Sequence, residues 1–420
     1  MQHLKFSREV FLEATEPEKF GIGIFLGVYN GLTYLSSLKS QLLNQTSQNF
    51  HLVVVDNNST DGSFEIIKEW SQSFASRITI VRNTINLGGS GTLLNSLDLI
   101  KTNWFTAFHQ DDFYKPEHIE VLLSEINKSP DCVIAISTVM ASMEADGTKI
   151  GTIPRSSMFA KSNHPVSAFL QNLQIHSVPW PATAFKREVF EMSQALWHNT
   201  AFPDTEQILR MCAYGEFITI EKETMYYREN PFSESHTVMS NQSELGTVLS
   251  LFRVFGSSEF KIITSQLNAN EIELFGIELI NAIDFRLKES AFGGFLSLYA
   301  IEMLIQNVGY HNGGLVLLAQ TYYQELEMTS TASLLLNLGK IHNSDSNNID
   351  LRAVASVDNF INKFKPKDRV TPYKRNSFDR LIRVGYFQKL PYSWKKFIIR
   401  TLVNFGKLLG KFGHFRFGWK

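Results

Sequence analysis

The sequence predicts an α/β fold: a mostly parallel sheet flanked by helices, followed by a helical C-terminal region and a basic amphipathic tail. Three observations carry this reading. Short apolar runs alternate with stretches of helical spacing through the first third of the chain. Each apolar run ends in a polar loop, and from about residue 245 to 345 the spacing is mostly helical. At 420 residues, 44% apolar and 19% charged, the chain has the composition of a globular protein with a sizeable interior. That composition excludes wholly disordered, fibrous and collagen-like classes.

Gly21 to Val28 is the first expected strand. Tyr29-Asn30-Gly31 turns the chain, and Leu32, Leu35, Leu38, Leu42 and Leu43 mark one face of a helix. His51 to Val55 is a second strand, closed by a cluster of Asp, Asn and Ser from Asp56 to Ser63, and Phe64, Ile66, Ile67 and Trp70 come next on a helix. Ile78 to Val81, a helix over Gly89 to Leu99, and a strand over Trp104 to Phe108 that runs into His109-Gln110-Asp111-Asp112 complete the series. The polar loops thus share one edge of the sheet, outside the carboxyl ends of the strands, where open α/β sheets bind ligands.

After Pro116 a helix through Ile119, Leu122, Leu123 and Ile126 leads to Cys132-Val133-Ile134-Ala135-Ile136, read as a buried strand. Residues 141–180, rich in Ser, Pro and His, read as a long excursion over the site. A strand at Ala182 to Phe185, a helix from Glu188, a helix over Thr205 to Tyr214 and a strand at Phe217 to Ile220 are expected next.

The net charge of −1 conceals a division. Residues 361–420 hold 16 Lys and Arg against Asp368 and Asp379, a surplus of +14 that leaves −15 on residues 1–360. Basic and bulky apolar residues alternate from Trp394 to Leu409, a pattern that suits an anionic membrane surface better than nucleic acid, with docking to the acidic body as the other reading. Cys132 and Cys212 make no disulfide framework and are expected to be inert core thiols. No secretory signal and no bilayer-spanning run is recognisable, and the apolar stretch Ala291 to Ile305, interrupted by Glu302, reads as a buried helix. A cytoplasmic location, peripheral at the inner face of the plasma membrane, is the expectation.

Individually, the polar motifs carry two readings each. Adjacent carboxylates at Asp111-Asp112 repel unless a cation compensates, as Mg²⁺ or Mn²⁺ bridging a diphosphate would; a capped, solvated turn is the alternative. Asp56 and Asp61 suit either ligand contact or ordinary turn and cap chemistry. Asn86-Leu87-Gly88-Gly89-Ser90-Gly91-Thr92 could lay backbone N–H groups beside phosphate or sugar oxygens, yet it matches neither a P-loop nor GxGxxG.

Taken in order, Tyr29-Asn30, VVVDNNSTDGS, NLGGSGT and HQDD resemble the family 2 nucleotide-sugar glycosyltransferases of GT-A fold, over roughly residues 20–240. The resemblance implies a catalytic domain at 1–240, a helical accessory domain at 241–350 and a tail at 351–420. It implies donor contacts at Tyr29, Asn30, Asp56, Asn86, Gly88, Gly89, Asp111 and Arg228. Mn²⁺ or Mg²⁺ would sit on Asp111, with His109 in place of the usual first carboxylate and His236 as a further ligand. Asp204, in Phe202-Pro203-Asp204-Thr205-Glu206, takes the position of the general base, with Pro203 replacing the usual preceding acid. Trp180 and Asp112 would face the acceptor.

The implied activity is inverting transfer from a UDP- or TDP-linked sugar to a hydroxyl of a glycan or lipid-linked glycan in bacterial polysaccharide synthesis, similar to rhamnosyl- and galactofuranosyl-transferring enzymes. Two other classes compete. His109 and Pro203 depart from the pattern, which favours a catalytically inactive nucleotide-sugar or carbohydrate-binding scaffold. A nucleotidyltransferase fits less well, because the GVYNG loop lacks the Gly-rich, basic character that a nucleoside triphosphate needs.

Overall fold

A computed structural model describes residues 6–144, 148–152, 165–174, 178–193, 203–229, 243–287 and 293–308. The chain divides into two compact units, residues 1–364 and 365–420, and every described residue belongs to the first. His236 and the whole basic tail lie outside the described residues.

The parallel series is built as its sequence spacing predicts. Strand β1 (Arg8–Leu12) precedes β2 (Ile22–Val28), α1 (Leu32–Leu43), β3 (Phe50–Asp56), the short pair α2 (Ser63–Glu69) and α3 (Ser71–Phe74), and β4 (Ile78–Asn83). Helix α4 (Gly88–Ser96), β5 (Trp104–Phe108), β6 (Phe113–Tyr114) and α5 (His118–Ile126) continue the chain. Next come β7 (Val133–Met143), β8 (Lys149–Thr152), α6 (Pro165–Gln174), β9 (Thr183–Lys186), α7 (Arg187–Met192), α8 (Pro203–Met211) and β10 (Glu216–Arg228). Helices α9 (Ser243–Phe255), α10 (Ser258–Thr264), α11 (Ala269–Arg286) and α12 (Gly293–Val308) complete the described chain.

The strands form one sheet in the order β1-β4-β3-β2-β5-β9-β7-β10-β6, with β8 paired to β7. Strand β2 is parallel to both β3 and β5, and β3 is parallel to β4. The chain therefore builds outward from β2 through β3 to β4, then returns to place β5 on the opposite side of β2. That reversal opens a crevice between the carboxyl ends of β2 and β5, the place where such sheets accept ligands.

Both faces of the sheet are covered, and alternation along each strand decides which residue meets which layer. Ile22, Ile24, Leu26 and Val28 pack with Leu35, Leu38 and Leu42 of α1 and with Ile119 and Leu122 of α5. Phe25, Val53, Val55 and Phe105 point the other way and share a core with Phe169 of α6, Leu209 of α8 and the apolar residues of the four C-terminal helices. Those helices are thus layered on the sheet through one continuous apolar interior. Helix α12 contains the apolar stretch around Glu302, and among the described residues no helix is long and apolar enough to cross a membrane.

Three expectations are corrected. Cys132 is exposed: it lies in the turn before β7, where its carbonyl accepts the Glu216 N–H. Cys212 is buried as expected, and burial pushes its thiol pKa well up. The segment 141–180 is more regular than a loop, because β7 continues to Met143, β8 pairs back onto it and α6 comes after. Strand β10 runs for 13 residues rather than over Phe217 to Ile220 alone. The charged run Glu221-Lys222-Glu223 hides its continuation, although Glu223 is held in the sheet by Lys115 and Lys149 at 3.1 and 2.8 Å.

The α8-to-β10 turn has one tight requirement. A Cβ placed on Gly215 would stand 2.3 Å from the Cys132 carbonyl oxygen and 2.6 Å from Ile134 Cγ2. Backbone cannot yield there without breaking the Glu216–Cys132 bond. Gly215→Ala is expected to destabilise the protein by about 1–3 kcal/mol, read as a lowered midpoint in urea unfolding.

Candidate active site

The crevice between β2 and β5 is bridged by a side chain. Gln110 accepts the Tyr29 N–H at 3.1 Å and donates to the Tyr29 carbonyl at 3.1 Å, so the loops after the two strands are tied by a two-point amide bond. The Tyr29 ring stays 45% exposed at the rim. Asn30 adopts a positive φ of 47°, a left-handed conformation that asparagine tolerates, and its Oδ1 accepts the Thr60 N–H. Asp61 receives the Leu32 N–H and the Ser63 hydroxyl, which holds the entry to α1. Burial would raise the Asp61 pKa, but these hydrogen bonds outweigh it and lower the pKa on balance.

Asp56 ends β3 in full burial, with Arg82 Nε 3.1 Å from its Oδ2 and the Ser59 N–H turned toward the carboxylate. Burial pushes its pKa up against the pull of Ser59 and Arg82. The neighbouring Asn57 organises the NLGGSGT loop. Its Oδ1 accepts from Asn83 Nδ2 and the Leu87 N–H, and its Nδ2 donates to Asn86 Oδ1 at 2.6 Å. Asn86 Oδ1 also accepts the Gly88 N–H, and Gly88 takes a φ of +69°. Asn86, Gly88 and Gly89 lie at the start of α4, so the loop is braced from beneath and open above.

The HQDD turn is built around Asp112. Its side chain is 1% exposed, its Oδ1 accepts the Arg228 N–H at 3.0 Å, and its Oδ2 faces His109 Nδ1 at 3.2 Å. Arg228 also donates from Nε to the Asp111 carbonyl at 2.7 Å, so the end of β10 is clamped onto this turn. Tyr114 closes the base: its hydroxyl accepts the His109 N–H, and its ring stacks on Phe108 with centroids 3.6 Å apart. Burial pushes the Asp112 pKa up against the opposing pull of His109. For His109 desolvation pulls downward, but Asp112, then Asp111 and Asp204, raise the imidazole pKa overall.

Asp204 stands in the first turn of α8 and is close enough to His109 for each charge to shift the other. Burial raises its pKa, opposed by the Thr205 amide, Arg286 and His109. A carboxylate with a raised pKa is a better proton acceptor than an ordinary aspartate while it is ionised. The helix thus brings a candidate base to the turn that carries Asp111.

The structure therefore gathers His109, Asp111, Asp112, Arg228 and Asp204 into one neighbourhood, with Tyr29 joined to it through Gln110. Asp112 serves as an internal brace rather than an open acceptor contact. Trp180 is half-buried, with its ring 4.8 Å from Phe185 and 5.7 Å from Phe190. Among the described residues no group of three His, Cys, Asp or Glu side chains is placed to hold a metal ion. The residues fit a cation only as one shared between Asp111 and substrate phosphates, the arrangement Mg²⁺ often takes.

Gln110 and Arg286 carry no motif signal of their own. Gln110 is legible afterwards as the variable residue of HQDD. Arg286, some 80 residues beyond Asp204, has no local signal at all.

If the Asp112 charge sustains the His109 imidazolium, Asp112→Asn should lower the His109 pKa. An imidazole NMR titration should then show the His109 resonance changing at lower pH than in the parent.

These elements resemble those of known proteins. Residues 24–192 match the model of Glycosyl transferase family 2. An uncharacterised glycosyltransferase of Haemophilus influenzae is 22% identical over 69% of this chain and 91% of its own length. Glycosyltransferase GlyA of Streptococcus pneumoniae is 30% identical over 35% of this chain and 21% of its own. Abequosyltransferase RfbV of Salmonella typhimurium is 29% identical over 26% and 34%. Among solved structures, S. aureus TarS in complex with UDP-GlcNAc aligns over 72% of this chain and 86% of its own, with a TM-score of 0.47 and 14% identity. Residues 24–192 are thus similar to glycosyl transferase family 2, and they lie within an α/β fold whose mostly parallel sheet is flanked by helices.

Proposed function

We propose that the protein is an inverting glycosyltransferase that moves a sugar from a nucleoside-diphosphate donor, UDP- or dTDP-linked, to a hydroxyl of a glycan or lipid-linked glycan acceptor. The observation that carries this reading is the approach of Asp204 to the HQDD turn at the reversal point of the sheet. In this reading the base and the diphosphate-binding edge serve one pocket, as a displacement at an anomeric carbon requires.

In this mechanism the rim formed by Tyr29 and Asn30 receives base and ribose, and the buried Asp56 braces that rim through Ser59 and Arg82. The amides of Gly88 and Gly89 and the Arg228 guanidinium attend to phosphate and sugar oxygens. Asp204 takes the proton from the acceptor hydroxyl as its oxygen bonds to the anomeric carbon. The bond from that carbon to the diphosphate oxygen breaks, and the electron pair leaves with the nucleoside diphosphate. Attack from the face opposite the leaving group inverts the anomeric configuration.

Most of the rate gain in such a step comes from orientation and preplaced charge. A divalent cation held by Asp111 would offset the negative charge that builds on the leaving diphosphate. His109, with Nδ1 engaged by Asp112, keeps its Nε2 for that cation or for a phosphate oxygen, and Trp180 lines the acceptor side. The basic, aromatic tail is the part of the chain we assign to an anionic membrane surface, where a lipid-linked acceptor resides.

Two experiments test the reading. Asp204→Asn should retain UDP or dTDP affinity and lose about 10²-fold or more of sugar transfer; equal transfer by variant and parent removes Asp204 as the base. Asp111→Asn should reduce Mn²⁺-stimulated release of nucleoside diphosphate by about 10-fold or more, measured across a panel of UDP- and dTDP-sugars with and without EDTA. Donor binding by the parent without turnover on any acceptor would favour the binding-protein reading.

A further inference from the structure

Helix α11 ends in a side chain that reaches back to the helix bearing the proposed base. Arg286 donates from Nη1 to the carbonyls of Asn172 and Leu173 at 3.1 and 3.0 Å, and from Nη2 to Thr205 Oγ1 at 3.2 Å. Asn172 and Leu173 are buried near the end of α6, and Thr205 is buried next to Asp204. One half-buried guanidinium therefore spans three helices that are remote in sequence. Its planar fork suits this work, because several donors are held in a fixed relation and the charge persists at any accessible pH.

The groups around Asp204 make the position more telling. Asp204 lies within electrostatic reach of His109, whose own surroundings include Asp111 and Asp112. On its own helix, Glu206 is turned away into a separate network with Arg210 at 2.9 Å and Arg253 at 2.7 Å. Arg210 pairs with Glu206 and Glu259 and Arg253 with Glu206, whereas Arg286 bonds the residue adjacent to the base. The first turn of a helix lacks intrahelical partners for its N–H groups and frays easily. A clamp at Thr205 would limit that movement at the one residue whose placement matters.

We propose that Arg286 is a positioning residue that locks the first turn of α8, so that the C-terminal helical layer sets the orientation of Asp204 toward the acceptor hydroxyl. This rests on the reading of Asp204 as the base. It makes the helical layer part of the catalytic unit, and it accounts for a basic residue at an otherwise amphipathic helix end. A capping role for α6 alone would need the two carbonyl bonds but not the third bond to Thr205.

The test compares Arg286→Met and Arg286→Lys with the parent in the full chain. In amide hydrogen exchange, Arg286→Met should speed exchange of residues 203–207 by about 10-fold or more, with Arg286→Lys intermediate. Acceleration confined to residues 168–174 would overturn the proposal and leave Arg286 as a cap of α6. With whichever nucleotide sugar of the panel the parent turns over, Arg286→Met should lower kcat by about 10-fold to 100-fold while the donor KM stays within about twofold. Guanidinium at tens of millimolar, against an equal concentration of NaCl, should restore part of that kcat.

A raised donor KM at unchanged kcat would also overturn the proposal. The exchange experiment needs no turnover, so it stands apart from the base reading. Parental activity in Asp204→Asn beside fast exchange at 203–207 in Arg286→Met would reject the base and keep the clamp.

Discussion

The burial of the Asp112 carboxylate is the constraint on which the site depends. A charge removed from water needs partners, and here the Arg228 N–H and the His109 ring supply them from two different parts of the chain. Satisfying Asp112 therefore forces the end of β10 against the turn after β5. The same closure pairs Tyr114 with Met225 and puts the Tyr114 hydroxyl under the His109 backbone. Asp111 is then presented at the crevice by a turn whose neighbours are all held from within.

The Asn57 side of the crevice is built on the same principle with neutral groups. Asn57 is buried and spends its amide on Asn83, Asn86 and Leu87, which gives a glycine-rich loop a defined shape without apolar packing. Gln110 does the corresponding work between β2 and β5. Polar side chains in these loops thus serve first as scaffolding, and the groups that remain, such as the Tyr29 ring and the Gly88-Gly89 backbone, are those available to a ligand. His109 has a local logic, since its Nδ1 stands 3.2 Å from the buried Asp112 Oδ2, where a second carboxylate would repel it.

Much of the site is legible in the sequence because its residues lie in the loops directly after strands. Asp56, Asn86 and Asp111 each come after an apolar run, and parallel pairing brings such run ends to one edge. Asp112 is misread for the same reason: sequence places it on the exposed edge but does not say that its side chain turns inward. Cys132 is misread because β7 begins one residue later, at Val133, which leaves Cys132 in the exposed turn before the strand. Strand β10 reads short because Glu221, Lys222 and Glu223 interrupt its apolar pattern, while Lys115 and Lys149 compensate Glu223 only once distant segments meet.

The sequence alone determined the alternation of strands and helices and the edge on which polar loops collect, because these depend on local periodicity and on the residues that directly succeed each apolar run. Tertiary structure decided which of those residues face inward and which partners they keep. It alone set Arg228 against Asp112 and Arg286 against the helix of Asp204. Contacts between residues some 80 to 116 positions apart arise from packing of the layers, and no local pattern encodes them.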